Sequence, residues 1–217
     1  MKLELILSFL SKLEKNNNRD WFHENKKTYT EAREEYALLI DALISKIRKF
    51  DESIMTISSK DCMFRLNRDI RFSNNKDPYK LNFGAFISGN GRKSEQAGYY
   101  VHIEPGKSFI GGGIYRPQAK ELKAIRTEIF EYPEEFKAII HDEKFQKVFP
   151  EIYGEKLKTA PRGFPKDFKD LDLIKHKSYA VIHKVEDDFW KQENVLEEII
   201  SVFKIQYKYN LFLNNAL

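Results

Sequence analysis

The sequence predicts an α+β fold with a mainly antiparallel sheet, and three observations point there. Apolar residues recur at helical spacing towards both ends of the chain, they alternate with polar residues in the middle, and Glu104-Pro105-Gly106-Lys107 punctuates the alternating region. Strands cluster instead of alternating with crossover helices, which disfavours a doubly wound parallel sheet. The expected sheet is a meander over about 83–115 with further strands near 62–72 and 177–184, packed with N- and C-terminal helices.

Taken in order, Ile6, Phe9, Leu10 and Leu13 define a short amphipathic helix, and Asn16-Asn17-Asn18 ends it with residues that favour turns and caps. Tyr36, Leu39, Ile40, Leu43, Ile47 and Phe50 form the stripe of a long core-facing helix. Cys62 sits between Asp61 and Met63-Phe64 as in a buried strand, and a lone cysteine of this kind is an inert core thiol. Tyr99, Val101 and Ile103 alternate with Tyr100, His102 and Glu104, the pattern of a half-buried strand. Pro105 and Gly106 occupy the second and third positions of a type II turn. Helices return after Pro117 and Pro133, which suit first helical positions, and Val195, Leu196, Ile199, Ile200, Phe203 and Tyr207 set the last one.

A chain of 217 residues without a compositional break is expected to be a single domain, 1–217. An apolar content of 41% is enough for a packed core and excludes a disordered chain. No stretch reaches the length of a membrane span and no leader pattern opens the sequence, so a cytoplasmic protein without a membrane partner is expected. The net charge of +4 is compatible with nucleic acid but does not favour it, because a dedicated binder carries a denser basic excess. Five histidines show no close pair, so no metal site is expected.

The densest polar constellation runs from Phe64 to Lys80. On a strand Arg65, Asn67, Asp69 and Arg71 would share one face, with Phe64, Leu66, Ile70 and Phe72 on the core face. Arg68 then falls on the wrong face, which demands a bulge or turn near Asn67-Arg68-Asp69, or a paired buried guanidinium. Arginines suit bidentate recognition of carboxylate or phosphate, and Asp69 has the chemistry to orient an arginine, bind a metal or act as a base. Three roles stay open: an architectural Arg–Asp network, a pocket for an anionic ligand, or acid–base or metal-assisted catalysis with Asp69 as catalytic group. The ligand set for the pocket is Arg65, Asn67, Arg68, Arg71, Lys76, Tyr79 and Lys80. The acid-to-lysine spacings of Asp77–Lys80 and Glu104–Lys107 are weak support for a nuclease, since i and i+3 face opposite ways on a strand.

Trp21, Asn25 and Lys26 read either as helix surface and core anchors or as a wall of the same pocket. Arg162 lies in a Pro-Arg-Gly-Phe-Pro-Lys loop that is either ordinary surface or the rim of that pocket. Gly111-Gly112-Gly113 allows a close approach by backbone or ligand, and it lacks the Lys-Ser/Thr ending of a phosphate loop. His102 and His183 read as hydrogen-bonded sheet residues.

Asn18-Arg19-Asp20-Trp21-Phe22, the run Phe64 to Ser73, Lys76-Asp77-Pro78-Tyr79-Lys80 and Pro161-Arg162-Gly163-Phe164 together resemble the bacterial family catalogued as domain of unknown function 2461. The resemblance spans about Leu5 to Leu211. It implies a single-domain bacterial protein and carries over no activity, cofactor or catalytic residue. The residues favour a pocket for an anionic, phosphorylated small molecule or nucleotide, with hydrolytic or transfer chemistry as an extension. The alternative is a structural or protein-interaction module.

Overall fold

The computed structural model describes residues 1–54 and 56–217. Three helices come first: α1 Glu4–Lys15, α2 Arg19–Glu24 and α3 Lys26–Ile47. The Asn18 side chain accepts the Trp21 N–H at 2.9 Å and so satisfies one of the free donors that begin α2. Helix α3 buries Tyr36, Leu39, Ile40, Leu43 and Ile47, the stripe predicted from their spacing. A single helical turn, α4 Ser59–Cys62, precedes β1 Phe83–Ile87, β2 Gly98–Ile103 and β3 Phe109–Ile114. Helices α5 Ala119–Glu131, α6 Pro133–Ile140, α7 Glu143–Val148 and α8 Leu171–Ile174 then lead to β4 Tyr179–Lys184 and α9 Val195–Asn215.

The four strands form one antiparallel meander in the order β1-β2-β3-β4, so the α+β class stands. The turn between β2 and β3 closes with the Lys107 N–H donating to the Glu104 carbonyl at 2.9 Å, and Gly106 takes the positive φ of 68° that such a turn needs. Pro133 opens α6 as expected. Pro117 does not open α5: Gln118 is its N-cap, because Arg116 bends the chain first with a φ of 51°.

The strand expected near 62–72 is a correction. Cys62 ends α4 instead of lying in a strand, though it is fully buried and its thiol is pushed up to about 12 by that burial. Beyond it only isolated bridges form, Met63 with Ala85 and Asn67 with Tyr79. Leu66 is buried as expected, whereas Phe64 is exposed and Phe72 is 94% exposed. The physical reason is that 66–80 folds back on itself. The Arg68 N–H donates to Pro78 and the Lys80 N–H to Leu66, which leaves no continuous backbone edge for the sheet. Of the two ways to accommodate Arg68, the chain takes the turn.

Both sheet edges are covered by irregular chain. The Phe64 N–H donates to Gly84 beside β1, and the Tyr153 N–H donates to Ala180 beside β4. One face of the sheet is covered by helices. Tyr36 donates its hydroxyl to the Val101 carbonyl at 2.9 Å, and Tyr99 donates to the buried Asp51 at 2.7 Å. Helix α9 lies across β2 and β3, where the Gln206 and Asn210 amides donate to the Gly98 carbonyl at 3.0 and 3.2 Å. Gly112 and Gly113 adopt φ of 152° and 89°. A β-carbon on Gly112 would overlap the Gly98 carbonyl and reach within 2.5 Å of the Gln206 amide nitrogen. Close packing therefore accounts for the glycine run.

Replacing Gly112 with alanine is expected to cost about 3 kcal/mol or more, from backbone strain and overlap together, read as a fall in the urea midpoint. A second outcome concerns His176, which is buried and whose Nδ1 has no partner among the described residues. Burial, then the nearby Lys156, hold its imidazole down to about 4. The unfolded chain, titrating near about 6.5, binds more protons between these values. The contribution of His176 is therefore complete above about 6.5 and is lost as pH falls towards 4. Urea midpoints measured across that window should fall less for His176→Gln than for the parent chain.

Candidate functional site

Strand alternation places Tyr99, Val101 and Ile103 under the helices and turns Tyr100 and His102 the other way. With Phe86, Phe109 and Ile182 they form a half-buried floor on the face opposite α9. This floor belongs to a cleft of about 710 Å³. Phe64, Lys80 and Asn82 line it beside β1, and Arg116, Glu121 and Tyr153 line it where β3 ends.

His102 has a defined hydrogen-bond role. Its Nε2 lies 2.9 Å from a Glu104 carboxylate oxygen, and a carboxylate only accepts, so Nε2 carries the proton. The Nδ1 lone pair then faces two donors, the Tyr100 hydroxyl and the Asn82 amide, each at 3.4 Å. Phe109 stacks on the imidazole with ring centroids 4.5 Å apart and an interplanar angle of 14°. Burial lowers the His102 pKa against the opposing pull of Glu104, so the ring is neutral at neutral pH. Burial, with Glu104 nearby, pushes the Tyr100 hydroxyl up to about 12. A neutral imidazole oriented by a carboxylate and bonded to a protonated phenol is equipped to move protons.

Lys80 is half-buried in the cleft wall, with Nζ 5.6 Å from the centroid of the Phe64 ring. Burial, then the positive charge of Arg65, lower its pKa. Among the described residues no carboxylate pairs with Lys80 or Arg65. Glu121 also lines the cleft and is 8% exposed, and one of its oxygens is buried without a partner among the described residues.

The remaining expected site residues lie elsewhere. Asp69 accepts from the Arg71 Nε and one Nη, at 3.0 and 2.7 Å, in an exposed pair on the 66–80 loop. Arg68 reaches the Asp77 carbonyl and the Ser73 hydroxyl, both at 3.3 Å, and Lys76 reaches the Ile70 carbonyl at 3.2 Å. Asn67 bridges the backbone of Tyr79, whose buried ring stacks on Phe22 at 4.0 Å. Asn17 holds Tyr79 by donating to its carbonyl at 3.0 Å, which ties this loop to the start of α2. Trp21 packs against the core beside Phe9, the Asn25 amide donates to the Trp21 carbonyl, and Lys26 lies over the Phe22 and Tyr29 rings. Arg162 is exposed on its loop while Phe164 packs against Phe130. None of these side chains lines the cleft, and the structure brings only Lys80 of the expected set into it.

Tyr100, His102 and Glu104 were legible only as the outward face of a strand. The signal was their chemistry, three proton-bearing or proton-accepting groups at i, i+2 and i+4, which a strand must place on one side.

The molecule is thus an α+β protein with an open antiparallel meander, helices on one face and a polar-walled aromatic cleft on the other. The chain belongs to the family of conserved hypothetical proteins DUF2461, whose model matches residues 5–212. No curated protein and no solved structure matches it. Among the described residues no helix is long and apolar enough to cross a membrane, and no group of three metal-ligating side chains occurs.

The Asp69–Arg71 pair is solvent-exposed and therefore well screened. Asp69→Asn is expected to leave the thermal midpoint unchanged within experimental error, as followed by circular dichroism. A clear fall would assign the pair to the architecture of the fold.

Proposed function

We propose that the cleft binds a small anionic ligand, a phosphorylated molecule or nucleotide, with Lys80 as its principal cation. The observation that carries this is a half-buried ammonium in the cleft wall that no carboxylate pairs with among the described residues, with a second cation, Arg65, beside it. Burying a cation costs several kcal/mol unless an opposite charge compensates, so an anion at this position gains more than it would at an exposed lysine. The aromatic floor suits the organic part of the ligand, since Phe109 and Tyr100 present ring surface. Arg71 is already engaged by Asp69 in an exposed pair outside the cleft, and neither receives a direct role.

Isothermal titration with inorganic phosphate and with adenosine monophosphate checks the proposal. Lys80→Met should weaken binding about 10- to 100-fold, the loss of one charge-assisted hydrogen bond, while stability is kept or raised because a desolvated charge is removed. Affinity should also fall as salt rises. Equal binding by the parent chain and Lys80→Met, or no binding by either, would refute the assignment.

A further inference from the structure

We infer that the cleft hydrolyses phosphate monoesters, with His102 and Tyr100 as its proton-transfer pair and Glu104 as the residue that positions His102. This rests on the anion-binding role proposed for Lys80 and adds a reaction to it. The geometry that carries it is the hydrogen-bonded row Glu104, His102, Tyr100, of which His102 and Tyr100, on the open face of β2, line the same cleft as Lys80, while Glu104 follows the end of the strand. Because Glu104 accepts from Nε2, the basic nitrogen Nδ1 is the one turned towards Tyr100 and Asn82.

Tyr100 Oη and His102 Nδ1 stand 3.4 Å apart and both residues line the cleft, so a proton donor and a proton acceptor are presented to it together. In the step, Nδ1 removes a proton from water as the water oxygen bonds to phosphorus. The ester P–O bond breaks, and the departing alkoxide takes the Tyr100 hydroxyl proton. The proton on Nδ1 then returns to the Tyr100 oxygen along their hydrogen bond, so water and ester become phosphate and alcohol with both side chains restored. Glu104 stabilises the transient imidazolium, and Lys80 offsets negative charge on the phosphoryl oxygens.

The test uses p-nitrophenyl phosphate and adenosine monophosphate as substrates, with phosphate release as readout and titration of inorganic phosphate as a separate binding readout. The parent chain should turn over both; His102→Gln should lose about 100-fold or more in kcat with either substrate, and Tyr100→Phe should lose as much with adenosine monophosphate and little with p-nitrophenyl phosphate, whose phenolate departs without a proton, while both variants bind phosphate as the parent does. Glu104→Ala should lower kcat at constant KM, and Glu104→Gln, which keeps an acceptor for Nε2 but loses the charge that stabilises the imidazolium, should recover only part of it. Phosphate binding without release of phosphate from either substrate would overturn hydrolysis and leave the anion site standing. Full turnover by a folded His102→Gln would overturn it equally. Absence of phosphate binding by the parent would remove the anion site together with this inference.

Discussion

The structure depends on how closely α9 approaches β2 and β3. At Gly112 there is no room for a β-carbon between the Gly98 carbonyl and Gln206 of the helix. Gln206, Asn210 and Asn214 occupy i, i+4 and i+8 on α9, and their amides meet the backbone of Ala97 and Gly98. Gln206 and Asn210 are almost completely buried, so their hydrogen bonds to the strand are required rather than incidental. A larger residue in β3 would lift the helix and leave these amides unsatisfied.

The same helix joins the two apolar clusters of the molecule. Val195, Ile199 and Phe203 belong to the cluster under α1 and α3, whereas Tyr209, Phe212 and Leu213 belong to the cluster among α5, α6 and α7. With α3 and α9 on one face, the other face of the meander is free to carry function. One isolated bridge meets each edge, at Met63 and at Tyr153, and Phe64 and Tyr153 beside them help to wall the free face into a cleft. The cleft is therefore a consequence of one-sided helix packing.

The candidate site was only partly legible in the sequence. The density of charge between Arg65 and Lys80 is real, but strand spacing gave it the wrong geometry. Backbone bonds from Arg68 to Pro78 and from Lys80 to Leu66 turn the segment into a folded-back loop, which separates Asp69 and Arg71 from Lys80. That pairing links residues ten and fourteen positions apart, beyond what alternation can register. The Tyr100–His102–Glu104 face was visible as a pattern, yet three polar residues on a half-buried strand look like solvent-facing surface until the walls around them are known. The same limit applies to Glu121, which helical spacing marks as an ordinary residue in the first turn of α5.

By itself the sequence determined the α+β class, the antiparallel meander, the β2–β3 turn, the terminal helices and the family, because each is written in short-range periodicity or in local motifs. Which face of the sheet stays open, which lysine becomes half-buried, and which histidine meets a carboxylate were decided only by tertiary structure. Those outcomes rest on contacts between residues far apart in the chain, and on desolvation, a property of the assembled surroundings that no residue carries alone.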